Sequence, residues 1–496
     1  MKNRLTAIFL ALVIAFSLFA SCSSAPESEK TEQDPKENSK EADSKEAAKQ
    51  TEYIFAELNC NGEDFTILNT INEWEFYSDI IFENMTGEVL DDAIYTRTRL
   101  LEEKFNVNIK EVSAQVVSEV ASKLRNAVLA DENIYDVSFC PISESGQLIS
   151  LNMLYDLNGV QGLNLGENWW NQSIMENITI TSSKSVYFAF SDIHIFALQC
   201  ALNLYINEKM IENLGLEKPY GIVRSGKWTY DKFYEYMKAG AQLNGDASFK
   251  WSDSGNAVYG YTSFLTGTKA LLTGSGEILA ENSGDGMPRL TVGHERFYNV
   301  CDKIADMLSR SNAGGYEHAN AYHTPYHFEA MFANDRAFMM GGELKAANSI
   351  RAMETVFGIL PIPKYDETQT RYWSYVNPIA PALMIPVTNA NLERAGIIID
   401  AMAYLSTKDV MPVFFDVNVS QKQLRNEESI EMLQIIRDTL VLEMGLAYGW
   451  TTQMSEAIVN ALDLGKSDGI ASIIEKQTDR AQANIDAMME LIEGAK

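Results

Sequence analysis

The chain has 496 residues, long enough for two lobes with sizeable cores, and a formal net charge of −28 at pH 7. So large an excess of carboxylates repels nucleic acid and anionic lipid headgroups, which removes both as partners of the folded body and leaves neutral solutes open. Beyond Cys22, the cysteines Cys60, Cys140, Cys200 and Cys301 stand at wide, irregular spacing; no pair is spaced as metal ligands, and a body of this size needs no disulfide staples. Cys140 and Cys200 lie in apolar stretches and read as buried thiols, although an exported chain can still form one bond.

The first residues read as a secretory leader. Lys2 and Arg4 precede an apolar run from Leu5 to Phe19, and the small residues Ala20 and Ser21 lead to Cys22. About fifteen apolar residues are too few to cross a bilayer. Leu18-Phe19-Ala20-Ser21-Cys22 resembles the bacterial lipobox, with Phe19 where Leu is usual. That resemblance implies a signal at 1–21 cut before a lipidated Cys22; the alternative is an ordinary signal cleaved near Ala20. From Ser23 to Glu52 almost every residue is polar or charged, so residues 22–52 are expected to form a disordered acidic leash. A coil of about thirty residues spans roughly 30 Å.

The body alternates short apolar strands with amphipathic helices, the pattern of α/β layers. Asp64–Asn69 predicts a first strand, followed by a long loop carrying Trp74 and Tyr77. A helix follows from about Asp91 to Phe105, where Asp91 and Asp92 suit the positive end of the dipole. Val107–Val112 alternates as a strand, Val117–Asp131 as a helix, and Tyr135–Phe139 as a strand again. Val186–Phe190 and Ala201–Asn207 read as two successive strands. Thr229 is the expected N-cap of a helix whose stripe is Phe233, Met237 and Ala241, which makes the adjacent Trp228 a packing residue. Late helical stripes run through Ile430, Leu433, Arg437 and Leu440, and through Ile470, Ile473, Gln477, Ile485, Met488 and Ile492.

No hydrolase elbow, zinc-protease motif or phosphate loop is present, and the sequence implies no cofactor. His318, His323 and His327 cluster with Tyr316, Tyr322 and Tyr326. A helical spacing of His323 and His327 suits zinc, but Pro325 between them makes a polar loop beside a cleft the favoured reading.

Several segments in order resemble the family 1 extracellular solute-binding proteins of bacterial ABC importers, the large sugar-binding kind related to maltose-binding protein. They are Thr86-Gly87-Glu88 with Asp92–Arg97 and Glu102–Val107, Tyr135–Val137 with Leu154–Leu157, Leu204–Lys209 with Gly215-Leu216 and Trp228-Thr229, Phe332–Met339, and Gly358–Lys364. The resemblance implies an α/β, type II periplasmic-binding-protein-like fold with two lobes, an interlobe cleft and hinge crossings. On its pattern lobe 1 holds 53–187 and 361–407, and lobe 2 holds 188–360 and 408–496. It implies a monomer that captures a saccharide by lobe closure and presents it to permease subunits, held on the outer face of the cytoplasmic membrane through Cys22.

A sugar offers apolar C–H faces and many hydroxyls, so its site needs aromatic platforms beside carboxylates and amides, on loops at strand ends. Trp373 and Trp450 are the expected stacking residues, with Trp74 a third platform; Asp192 and Glu343 are expected to accept hydroxyls, and Asp79, Ser143 and Asn377 complete the candidate set. Each Trp has a plain alternative in core burial, and Asp192 in capping a turn. Ser143 stands where the resemblance places a sugar-gripping Asp, and Glu343-Leu344 where it places a Trp, which argues against maltose itself. The competing functions are a binding protein for a peptide or another polar solute, a surface glycoside hydrolase or lyase, and a surface adhesin.

Overall fold

The computed structural model describes residues 53–70, 76–309, 313–318, 327–416 and 427–494. Apolar runs and alternating stretches become the strands, in chain order β1 (Glu63–Thr70), β2 (Val107–Ala114), β3 (Val137–Pro141), β4 (Leu202–Asn207), β5 (Tyr259–Ser263), β6 (Ala280–Asn282), β7 (Pro288–Leu290), β8 (Tyr316–His318), β9 (Ala337–Glu343), β10 (Phe357–Leu360), β11 (Ser374–Tyr375), β12 (Pro381–Met384) and β13 (Leu440–Val441). They build two main sheets, each the centre of one lobe.

The first sheet has the order β12-β3-β1-β2. Its β1, β2 and β3 run parallel, with Phe65 opposite Ile109 and Ile67 opposite Val137, while β12 is antiparallel with Leu383 opposite Phe139. The helix Val89–Phe105 covers it through Leu90, Ile94, Leu101 and Phe105, which are spaced to lie on one face, and ends where Asn106 adopts a left-handed φ of 47°. Asp91 and Asp92 stand in its first turn, as the dipole favours. The helix Leu392–Leu405 and the short turns to Phe414 pack across it.

The second sheet has the order β10-β4-β9-β5-β8. Every residue of β4, β5 and β9 is buried, because helices cover both faces. Gly260 in β5 is required by crowding: a Cβ there would lie 2.1 Å from the Met237 carbonyl oxygen and 2.2 Å from that of Gly314. Trp228 is fully buried, as expected of a packing residue, and its Nε1 donates to the Pro361 carbonyl at 3.1 Å.

Between the sheets, three crossing segments lie side by side. β11 pairs in parallel with β13, Ala201 bridges Val376, and the Asn377 amide donates to the Cys200 carbonyl at 3.0 Å. Local reading misses some detail here. Val186–Phe190 forms no strand and makes only the bridge from Ala189 to Leu383 of β12, since the Val186 carbonyl accepts from the Leu157 amide at 2.7 Å and the Phe190 carbonyl from the Asn171 amide at 2.9 Å. The helix Glu427–Asp438 stops before Leu440, which belongs to β13 instead. Thr229 sits at its helix N-cap, but its side chain makes no capping bond. The four cysteines of the body are buried free thiols.

Candidate ligand site

Strand ends of both lobes converge on the crossing segments. Glu343 ends β9, and its Oε1 accepts from Asn377 Nδ2 at 2.7 Å, joining the second sheet to the second crossing. Burial pushes the Glu343 carboxyl up to about 7; the Asn377 hydrogen bond and the Lys345 charge pull it down, and Glu329 raises it further. Lys345 Nζ lies 4.8 Å from the centre of the Phe76 ring, and Phe76 stacks on Phe196 at 4.2 Å. Beside it, the Tyr77 amide donates to Gln199 Oε1 at 2.7 Å. A floor of charge, amide and aromatic groups thus links the loop after β1, the first crossing and the end of β9.

At one side of this floor lies a cavity of about 600 Å³, lined by Ser143, Gln147, Tyr448, Trp450 and Asn484 among others. Its walls come from different parts of the chain. The Ser145–Ser150 helix is seated on the segment 444–450: Ser145 Oγ donates to the Ala447 carbonyl at 2.5 Å, and a Cβ on Gly146 would lie 2.2 Å from the Tyr448 carbonyl oxygen. Tyr448 and Trp450 stack at 4.8 Å with their planes 13° apart, and Tyr448 Oη donates to the Ile178 carbonyl at 2.9 Å. Trp450 Nε1 is buried and has no hydrogen-bond partner among the described residues. Such an orphan donor costs about 1–3 kcal/mol unless something accepts from it.

The expected site residues therefore separate. Ser143 and Trp450 share the large cavity, although one face of the Trp450 ring is already taken by Tyr448. Glu343 and Asn377 form a pair in the floor. Asp192 lies elsewhere, in a cavity of about 270 Å³ beside the crossings, where its Oδ2 accepts from Arg437 at 2.6 Å and from Thr407 Oγ1 at 2.7 Å. Trp373 is half-buried beneath the Arg371 guanidinium at 5.3 Å, and Asp79 is exposed. Trp74, Cys22 and His323 lie outside the described residues. His327 opens the helix His327–Ala333 and meets Trp251 edge-on at 4.4 Å; among the described residues no group of His, Cys, Asp and Glu is placed to hold a metal ion. Trp169 and Trp170 are buried, with both indole nitrogens donating to the buried Asp400. Neither Gln147, whose short helix is not predicted from the sequence, nor Asn484, whose helix reads there only as a core stripe, stands among the expected site residues. For Asn484 the polar positions flanking that stripe were the available signal.

Two sheets joined by several crossings, with strand ends meeting between them, define the two-lobed, type II periplasmic-binding-protein-like fold. No family model matches the chain, and no curated protein matches it. Solved structures do. A cyclo/maltodextrin-binding protein complexed with maltotetraose superposes with a TM-score of 0.52 at 12% identity, over 87% of this chain and 97% of its own. An ABC transporter solute-binding protein from Thermotoga lettingae bound to α-D-tagatose gives 0.51 at 15% identity, over 86% and 100%. An ABC substrate-binding protein from Listeria monocytogenes in complex with cycloalternan gives 0.52 at 9% identity, over 86% and 99%. At such identities the likeness is one of fold.

Proposed function

We propose that this chain is an extracytoplasmic solute-binding protein that captures a carbohydrate, an oligosaccharide in particular, between its lobes and delivers it to the permease of an ABC importer. The observation that carries the reading is the cavity of about 600 Å³ at the lobe junction, where an aromatic pair meets hydroxyl and amide side chains. A sugar's hydroxyls suit the hydroxyl and amide side chains of this lining, and its C–H faces suit aromatic surface. The fold supports it too, since the three similar structures named above hold maltotetraose, tagatose and cycloalternan.

In this reading 53–187 and 361–407 form lobe 1, with the turns to Phe414 packed on its helix Val89–Phe105, the rest of 188–360 and 408–496 forms lobe 2, and ligand selects the closed form by touching both. Ser143 and Trp450 contact the sugar, with Trp74, Asp79, Trp373 and the Glu343–Asn377 pair along the cleft. Asp192 holds the crossings through Arg437 and Thr407. A lipid on Cys22 and the leash behind it keep the monomeric body near its permease, raising the concentration the permease meets. The protein binds and does not turn its ligand over.

The test is a thermal-shift screen over mono- and oligosaccharides, with product analysis alongside. Ligand at 100 times Kd should add about 2.7 kcal/mol of stability with no product formed. Shifts confined to peptides would move the assignment to that class, and product loss on Glu343→Gln would make the protein an enzyme.

A further inference from the structure

The last helix, Ile470–Gly494, is 25 residues long, which at 1.5 Å per residue makes a rod of about 37 Å. Its buried positions form one continuous stripe, but that stripe changes cores midway. Ile470, Ile474 and Ala481 join the core that contains Phe297, Ile304 and Leu462 of the second lobe. Ile485, Met488, Met489 and Ile492 join the larger core, which runs from the first sheet's Phe65 and Ile67 to the second sheet's Tyr205 and Met340. Along the way the helix packs against Thr452–Asp463, against β7, and against Ser145–Ser150 of the first lobe. It therefore spans the lobe junction and forms a wall of the cavity of about 600 Å³, to which it contributes Asn484 and Met488 while Gln147 contributes from the first lobe's helix.

Asn484 is exposed on this wall, and so is Gln147. Primary amides carry both donors and acceptors, which matches the vicinal hydroxyls of a sugar. We infer that the C-terminal helix is the end wall of the ligand cavity, and that Asn484 and Gln147 grip the terminal unit of a bound oligosaccharide and limit its length. This rests on the carbohydrate reading above. Gln147 Oε1 accepts weakly from Arg125 at 3.4 Å, so its amide is held near the wall without being saturated.

The experiment is calorimetric titration of the wild-type chain, Asn484→Ala and Asn484→Trp with a ladder of oligosaccharides of increasing length. Both substitutions fall on an exposed position, so unchanged melting temperatures without ligand verify the fold. Asn484→Ala should weaken the longest accepted ligand about tenfold, the loss of one good hydrogen bond. Asn484→Trp should abolish binding of the longer ligands while the shortest keeps its affinity. If the wild type binds saccharides and both variants bind every length unchanged, the end-wall inference alone is overturned. If the wild type binds no saccharide, the carbohydrate reading falls and this inference with it.

Discussion

Replacing Glu343 by Gln tests how the floor of the lobe junction is held together. The side chain is 5% exposed, accepts from Asn377 Nδ2, and has its carboxyl pushed by burial from 4.5 up to about 7. A carboxyl whose folded pKa is raised binds its proton more tightly in the native state. Its contribution to stability is therefore fully present below about pH 4.5 and is lost as the pH rises through about 7. At 1.36 kcal/mol per pH unit, that window amounts to roughly 3 kcal/mol. Glu343→Gln preserves shape and an acceptor for Asn377 but cannot ionise. In urea unfolding at pH 4 the variant should match the wild type within about 0.5 kcal/mol, and at pH 8 it should be more stable by about 1–3 kcal/mol. Glu443, 2% exposed and also pushed up to about 7, contributes the same slope to both proteins and cancels in the difference. A variant less stable than wild type at pH 8 would refute the reasoning. It would mean that Lys345 stabilises the carboxylate by more than burial penalises it.

Three further perturbations probe the frame around the site. Asp400 accepts from the Asn164 amide and side chain and from both Trp169 and Trp170 indoles, at 2.8–3.0 Å. Asp400→Ala leaves those donors buried and unmet, so the urea midpoint should fall by the equivalent of about 3–5 kcal/mol, and a loss under 1 kcal/mol would show the cluster to be dispensable. Gly146→Ala drives a Cβ into the Tyr448 carbonyl, which is backbone and cannot rotate aside. It should cost about 1–3 kcal/mol and shift the fluorescence of Trp450, which stacks on Tyr448. Thiol titration of the native protein should label none of Cys60, Cys140, Cys200 and Cys301, with burial holding the Cys140 and Cys200 thiols well above their ordinary pKa; all four should react after denaturation.

Much of the frame was legible from neighbouring residues. The strands β1, β2 and β3, the helix after Gly87 and the long C-terminal stripe all rest on spacing that a short window of sequence displays. Boundaries failed where a partner elsewhere decided the backbone. Leu440 continues a helical stripe by spacing, yet it becomes strand because β11 offers a hydrogen-bonding edge there.

The sequence by itself determined the α/β pattern, the acidic character of the body and the burial of Trp228, because each depends on composition or on periods of two and 3.6 residues. Only the tertiary structure decided which candidate site residues meet. Asp192 and Arg437 are 245 positions apart, and Ser143 and Trp450 come from opposite ends of the body. The crossings bring such pairs together, and nothing in their local sequence encodes the partner. The same holds for the last helix. Its stripe announces a buried face, but that this face meets both Thr452–Asp463 and Ser145–Ser150 follows from where those elements sit.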